Sequence, residues 1–380
     1  MTLTHYRASV SGYGRTQEIW KVAWRLGNSH VKLSSRLLGR YHPSNQTVDI
    51  AKISSLAATP GLIAALNGDF SARTTQTAYR NSGILVRNRR IYNFGWGGNG
   101  VGYLPNGNFV IGHPTARATR LLLPNNQAAT IGAWNALPGR PDQVGAYVTP
   151  GAKLTVPSGY AAFQVATTQF RKMLRGTKSI TNPQGSGVTE SAAGFVFADP
   201  AATATTTTVP ITASYTAGTV VAVPRSGAVL VTNATGLAGI GLANLAKRAT
   251  PAVNISGDAQ GWGSVGDVMG GKPQLVTNGV AVSSKPASVD DWQWTCGGGC
   301  WRPALVRSTT GQGWLIIAGA ADGTGITMPT WAKMLKQLGA KDAIGFDNNG
   351  SAELFHPKTA PIDAYGYERS LPTATTLTYH

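Results

Sequence analysis

The chain has 380 residues, of which 42% are hydrophobic and 13% charged, and its formal net charge is +17. That length and apolar content suit one large packed domain or two ordinary ones and argue against disorder, and no run reaches the roughly 18 to 20 apolar residues of a membrane span. The excess charge lies wholly in the first half: residues 1–180 hold 21 Lys and Arg against 4 Asp and Glu, residues 181–380 hold 12 against 12. A one-signed surface of this kind fits an anionic partner such as a phosphate-bearing polymer, a nucleic acid or an acidic cell surface, and equally a basic surface that only keeps the protein soluble.

Forty-seven glycines and few charges point to many short strands and tight turns. The expected class is α+β, built from β-rich mixed sheets with a few helices, in one domain over 1–380. Three sections are distinguished within it: a basic stretch at 20–150, an Ala/Thr-rich β section at 151–250 and a C-terminal section at 251–380. The N-terminus lacks the basic start, apolar middle and small-residue cleavage site of a secretory signal.

In chain order, alternation at Val22, Trp24 and Leu26 predicts strands with one solvated face. Thr47 or Asp49 offers a cap before Ile50, Ile53 and Leu56 at helical spacing, so a short helix is expected before Pro60. GLIAALNGDF then reads as an apolar strand ending in Asn67, Gly68 and Asp69. Two apolar pieces flank RNRR at 87–90, and LPNGNFVIG carries an Asn-Gly turn, which predicts hairpins. From 195 to 235, β-branched alternation broken by Pro and Gly predicts further strands. Near the C-terminus an apolar strand at 314–318, a helical face of Trp331, Met334, Leu335 and Leu338, and a second strand in AIGF make a strand, helix, strand unit.

Cys296 and Cys300, separated by three glycines, read as a loop-pinning disulfide, or far more weakly as half of a metal site that lacks further ligands nearby. No GxSxG elbow, phosphate-cradling P-loop, HExxH motif or histidine cluster is present, which disfavours those chemistries. AIGFDNNGSAELFH places Asp347 at the end of an apolar strand, followed by Asn348, Asn349, Gly350 and Ser351. Such a carboxylate is either aimed at a ligand by the sheet or merely ends the strand in an Asx turn. ALNGDF repeats that form at Asp69. Gly270-Gly271 allows close backbone approach or a plain turn, Arg302 opens an apolar run, and Glu368-Arg369 could be only a surface pair.

The succession of NGDF (67–70), IGAWNALPGRPDQVGAYVTP (131–150), GGKPQLVTNG (270–279), WRPALVRSTTGQGWLIIAG (301–319), LKQLGAKDAIGFDNNGSAEL (335–354) and YERSLPTATTL (367–377) resembles the phosphodiester glycosidase family. The likeness runs from about residue 20 to the end and is strongest over 270–370. It implies hydrolysis of a glycosyl phosphodiester or a related cell-envelope glycan at the anomeric carbon, the alternatives being a glycosidase on an unphosphorylated polysaccharide and a non-catalytic glycan- or cell-envelope-binding module. On that resemblance Asp347 or Glu368 activates water or stabilises the oxocarbenium-like centre, with Asp69 assisting. Arg302 and Arg369 would clamp phosphate, and Asn67, Ser351, Asn349, Gly270 and Gly271 would line the substrate. Two glycines of the family pattern are replaced by Asn348 and Asn349, and Ser370 stands where proline is usual, which leaves the sugar preference open. A glycan or glycosyl-phosphate partner and an extracytoplasmic location are expected, a nucleic-acid partner is not favoured, and no cofactor is called for with certainty, a divalent metal staying open.

Overall fold

The computed structural model describes residues 1–380 apart from 11–12, 43–46, 74–77, 88–89, 94–98, 105, 113–119, 124–127, 135–136, 148–150, 167–179, 182–186, 189–204, 225–226, 258–264, 266, 287–288, 297–298, 320–324 and 365. The chain folds as a β-rich mixed protein with few helices. One sheet has seven strands, in the order Leu3–Val10, Tyr13–Arg25, Gln312–Gly319, Arg302–Ser308, Ala340–Gly345, Gln274–Thr277 and Val280–Ala281. A five-stranded sheet runs Val31–Leu37, Thr373–Tyr379, Leu62–Asn67, Glu353–Phe355 and Ile362–Asp363. Arg120–Leu122, Ala128–Trp134, Gln143–Tyr147, Gly227–Asn233, Tyr160–Ala166, Thr205–Tyr215 and Ala252–Gly257 close a barrel. Its chain segment leaves after Phe109–Gly112 and returns before Asp267–Gly270, two strands that both pair with Gly100–Tyr103.

The layers follow from which face of each strand is apolar. Val22, Leu305, Leu315, Ile317 and Ile344 of the seven-stranded sheet pack on Leu33, Leu66, Leu354 and Leu377 of the five-stranded one. The residues between them in sequence, Ala304, Val306 and Ile316, point the other way onto Trp331, Met334 and Leu335 of the helix Met328–Gln337. Side chains alternate across a strand, so strand segments buried on both faces are continuously apolar, as PALV and GWLIIAG are within these two strands. The helix starts with Pro329 in its first turn and is followed by Gly339 at φ 95°.

The hairpins expected around 85–93 and at Asn106-Gly107 are present. The helix expected from Thr47 is not. Thr47–Asp49 and Ala51–Lys52 are strands, and only Ile53–Ala58 winds up, as a 3₁₀ helix. Val48 pairs with Tyr41 and Tyr79, and the Asp49 carboxylate bonds His42 Nε2 at 2.8 Å, so pairing takes up the residues that helical spacing had assigned to a first turn. The first ten of residues 195–235 lie outside the described residues. Among those described, no helix is long and apolar enough to cross a membrane.

Candidate active site

The two apolar-to-acid junctions meet. Leu62–Asn67 runs buried through the five-stranded sheet and stops at Gly68, while Ala340–Gly345 runs buried through the seven-stranded sheet and stops before Asp347. Asn67 Nδ2 donates to the Asp347 carbonyl at 2.7 Å, and the Asp347 N–H donates to the Gly68 carbonyl at 3.1 Å. Two sheets thereby present Asp69 and Asp347 at one seam. Asn67 is buried to 1% exposure, and both ends of its amide are used, since Oδ1 accepts the Glu353 N–H at 3.1 Å.

Asp69 is 3% exposed and sits in a slot made by two glycines. Its Oδ2 accepts the Gly83 N–H at 2.5 Å, and a Cβ on Gly270 would stand 2.4 Å from that oxygen. Only a residue without a side chain leaves room there. Gly270 thus serves the carboxylate rather than a turn. Gly271 lies against the opposite strand, where a Cβ would fall 2.7 Å from the Gly345 carbonyl.

Burial pushes the Asp69 carboxyl up to about 7, further raised by Asp347 and opposed by the Gly83 N–H and the Lys272 charge. Asp347, half-buried, is lifted by desolvation to about 6 against hydrogen bonds from Ser351 and the Asn348 N–H and the charges of Arg369 and Lys272. The pair therefore holds a proton at near-neutral pH. Lys272 precedes the strand Gln274–Thr277, donates its N–H to the Gly345 carbonyl, and sets Nζ 5.2 Å from the Phe70 ring. It acts on both carboxyls.

Asn348 and Asn349 do not distort the turn that carries Asp347. Asn349 has φ 54°, a left-handed conformation that asparagine tolerates better than most residues, and Asn348 is extended at φ −111°. The Asn349 N–H donates to the Trp301 carbonyl, which fastens the turn to the start of the strand Arg302–Ser308. Asn348 is 5% exposed, and its Nδ2 has no hydrogen-bond partner among the described residues.

Other expected residues are engaged differently. Arg302 is 2% exposed and its guanidinium donates to the carbonyls of Ile326 (2.8 Å) and Gln293 (2.9 Å). It holds the short helix Asp291–Thr295 and the Cys296–Cys300 disulfide loop against the sheet. The disulfide reading of the sequence is thus the one the fold adopts. Glu368 binds the Ser54 N–H and hydroxyl with its two oxygens, supplying the 3₁₀ helix Ile53–Ala58 with the cap that Lys52 does not give. Arg369 is exposed and couples to Asp347 and Glu353. No group of three or more His, Cys, Asp or Glu suited to a metal occurs among the described residues.

Lys272, Glu353 and Ser54 escape a reading of the sequence. Lys272 directly follows Gly270-Gly271, which was the available signal; Glu353 lies between Ala352 and Leu354 and looks like a surface acid on an edge strand.

Residues 190–378 match the family model described as phosphodiester glycosidase. Over that span the chain is similar to the phosphodiester glycosidases. Asp347, Lys272, Glu353, Glu368 and Arg369 fall within the match, whereas Asn67 and Asp69 precede it. No curated protein matches the sequence. Among solved structures, a hypothetical protein from Synechocystis is similar with TM-score 0.65 and 15% identity, covering 100% of this chain and 62% of its own. The chain thus spans less than two thirds of that protein's length. A protein from Burkholderia pseudomallei described as exported is similar with TM-score 0.60 and 16% identity over 96% of this chain and 74% of its own. The zebrafish N-acetylglucosamine-1-phosphodiester alpha-N-acetylglucosaminidase catalytic domain, auto-inhibited by its pro-peptide, is matched with TM-score 0.41 and 11% identity over 100% of this chain and 82% of its own.

Proposed function

We propose that the protein is a hydrolase that cleaves a glycosyl bond at the anomeric carbon of a sugar phosphodiester or a related cell-envelope glycan. The observation that carries this reading is the Asp69 and Asp347 pair, held by two different sheets, tied together through Asn67 and lifted by burial toward neutral pH. Two carboxyls that ionise at different pH divide the work of glycoside cleavage, one holding a proton while the other is charged. Asp69 is the group to donate or to hold a sugar hydroxyl. Asp347, reached by Ser351, is the group to activate water or to face the oxocarbenium-like centre.

A phosphate monoester leaves more readily than a sugar alkoxide and asks less of a general acid. The cations acting on the pair, Lys272 on both carboxyls and Arg369 on Asp347, are suited to neutralise its charge. Arg302 and Glu368 then support the site from behind. The Cys296–Cys300 disulfide and the likeness to a protein described as exported support an extracytoplasmic place for the reaction.

The test is release of free sugar from an N-acetylglucosamine 1-phosphodiester and from a panel of envelope polysaccharides, with the wild type beside Asp347→Asn. Release from the phosphodiester that the substitution abolishes supports the reading. Release from polysaccharide alone moves the substrate to an unphosphorylated glycan, and no release from any of them replaces hydrolysis with glycan binding.

A further inference from the structure

Glu353 lies next to the two reacting strand ends and has no part in the chemistry assigned above. It is fully buried on Glu353–Phe355, and two of its groups bond the site's supports. Its N–H donates to Asn67 Oδ1, the same amide whose Nδ2 holds the Asp347 carbonyl. Its Oε1 accepts the main-chain N–H of Arg369. Its Oε2 is buried with no hydrogen-bond partner among the described residues. Asp363 stands opposite it on the paired strand, and Glu368, fixed by Ser54, adds a second negative charge.

We propose that Glu353 is a positioning residue: by gripping the chain at Arg369 and, through Asn67, the strand end at Asp347, it sets where a guanidinium and a carboxylate meet one phosphodiester. The proposal deepens the glycosidase reading and rests on it. Its physical logic lies in the competition for Arg369, whose charge acts on both Asp347 and Glu353. A neutral Glu353 leaves that guanidinium to Asp347 and the substrate. An ionised one would be a buried carboxylate with an unpaired oxygen beside two other acids, and Arg369 is the cation at hand to compensate it. Burial, reinforced by Glu368 and Asp363, holds the carboxyl up at about 8 against the Arg369 N–H and charge, so the neutral form prevails at ordinary pH. Above that pH, Arg369 is drawn inward and the anion site loses its donor.

The experiment titrates dimethyl phosphate, a diester whose single charge is constant over the range, into the full chain at pH 7.5 and 9, followed by phosphorus NMR. Wild type, Glu353→Gln and Glu353→Leu are compared. The wild type is expected to bind about eightfold more weakly at pH 9, because roughly three quarters of Glu353 is neutral at the lower pH and roughly a tenth at the higher. Glu353→Gln, which keeps the acceptor and cannot ionise, should change less than twofold between the two. Glu353→Leu, which drops the grip on Arg369, should bind about tenfold more weakly than wild type at pH 7.5. The proposal is overturned if the wild type does not bind, if its binding is unchanged at pH 9, if Glu353→Gln weakens as much as wild type, or if Glu353→Leu binds normally. Should Glu353→Leu not fold, the contrast between wild type and Glu353→Gln decides alone. The expected pattern in a protein that releases no sugar would sink the glycosidase reading and leave Glu353 in its role.

Discussion

Replacing Asp69 by Asn should make the protein more stable at alkaline pH and leave it unchanged in acid. Asp69 is 3% exposed and its carboxyl is raised from 3.8 to about 7, so the fold favours the neutral group. For a raised pKa the contribution to stability is complete below the unfolded value and disappears as pH climbs through the folded one, here between about 4 and about 7. At about 1.4 kcal/mol for each unit, ionised Asp69 costs the fold about 4 kcal/mol at pH 8.5. The substituting amide is nearly isosteric with the carboxyl, can still accept the Gly83 N–H, and escapes that loss. The assay is urea denaturation of wild type and Asp69→Asn between pH 4 and pH 9, with the difference between the two curves read at each pH. It isolates Asp69 from every other titrating group. A difference near zero at pH 4 that grows toward about 4 kcal/mol in favour of the variant confirms the buried, uncompensated carboxylate. Parallel curves, or a variant less stable at pH 8.5, would refute it and show that Lys272 and the slot compensate the charge fully. Such a cost is what the proposed catalytic role of Asp69 would account for.

Asp347→Asn should lower sugar release by at least about a thousandfold while urea unfolding at pH 5 stays near that of wild type; retained turnover would take Asp347 out of the chemistry. Gly270→Ala places a Cβ 2.4 Å from Asp69 Oδ2 and should cost about 1–3 kcal/mol and at least tenfold in rate, both absent if Asp69 can move aside. Arg302→Met removes the Arg302 donor from the Gln293 carbonyl and one of two donors from the Ile326 carbonyl, which keeps the Cys300 N–H, and should destabilise by about 2 kcal/mol with little change in KM. A large rise in KM at unchanged stability would instead make Arg302 a phosphate clamp. Cys296→Ser/Cys300→Ser should lose about 2 kcal/mol, measured as a drop in urea midpoint, on the loop-entropy estimate for so short a ring.

Much of the secondary structure was legible because the signals are local. Leu62–Asn67, the hairpin at Asn106-Gly107 and the helix from Met328 are each announced by residues within a few positions of them. Thr47–Asp49 misled because a helical spacing of Ile50, Ile53 and Leu56 competes with pairing to Tyr41 and Tyr79, and pairing partners are not visible in a local window. The barrel escaped for the same reason: its closure joins residue 120 to residue 256, and only long-range pairing records that.

At the site, the residue types and strand ends of Asp69 and Asp347 were set by the sequence, since an apolar run that breaks into an acid and a glycine can do little else than end a buried strand at a polar point. The pattern of DNNGS also contains the turn, because asparagine is among the few side chains that accept the left-handed backbone at position 349. That these two ends meet, that glycines 83 and 270 clear a slot for one carboxylate, and that Lys272 reaches both were decided only by the packing of two sheets. The same packing turned Arg302 and Glu368, chemically suited to a substrate, onto main-chain carbonyls and Ser54, and buried Glu353 behind them. A charged side chain carries its chemistry in its identity, but its partner and its dielectric come from residues hundreds of positions away, and those set its pKa and its role.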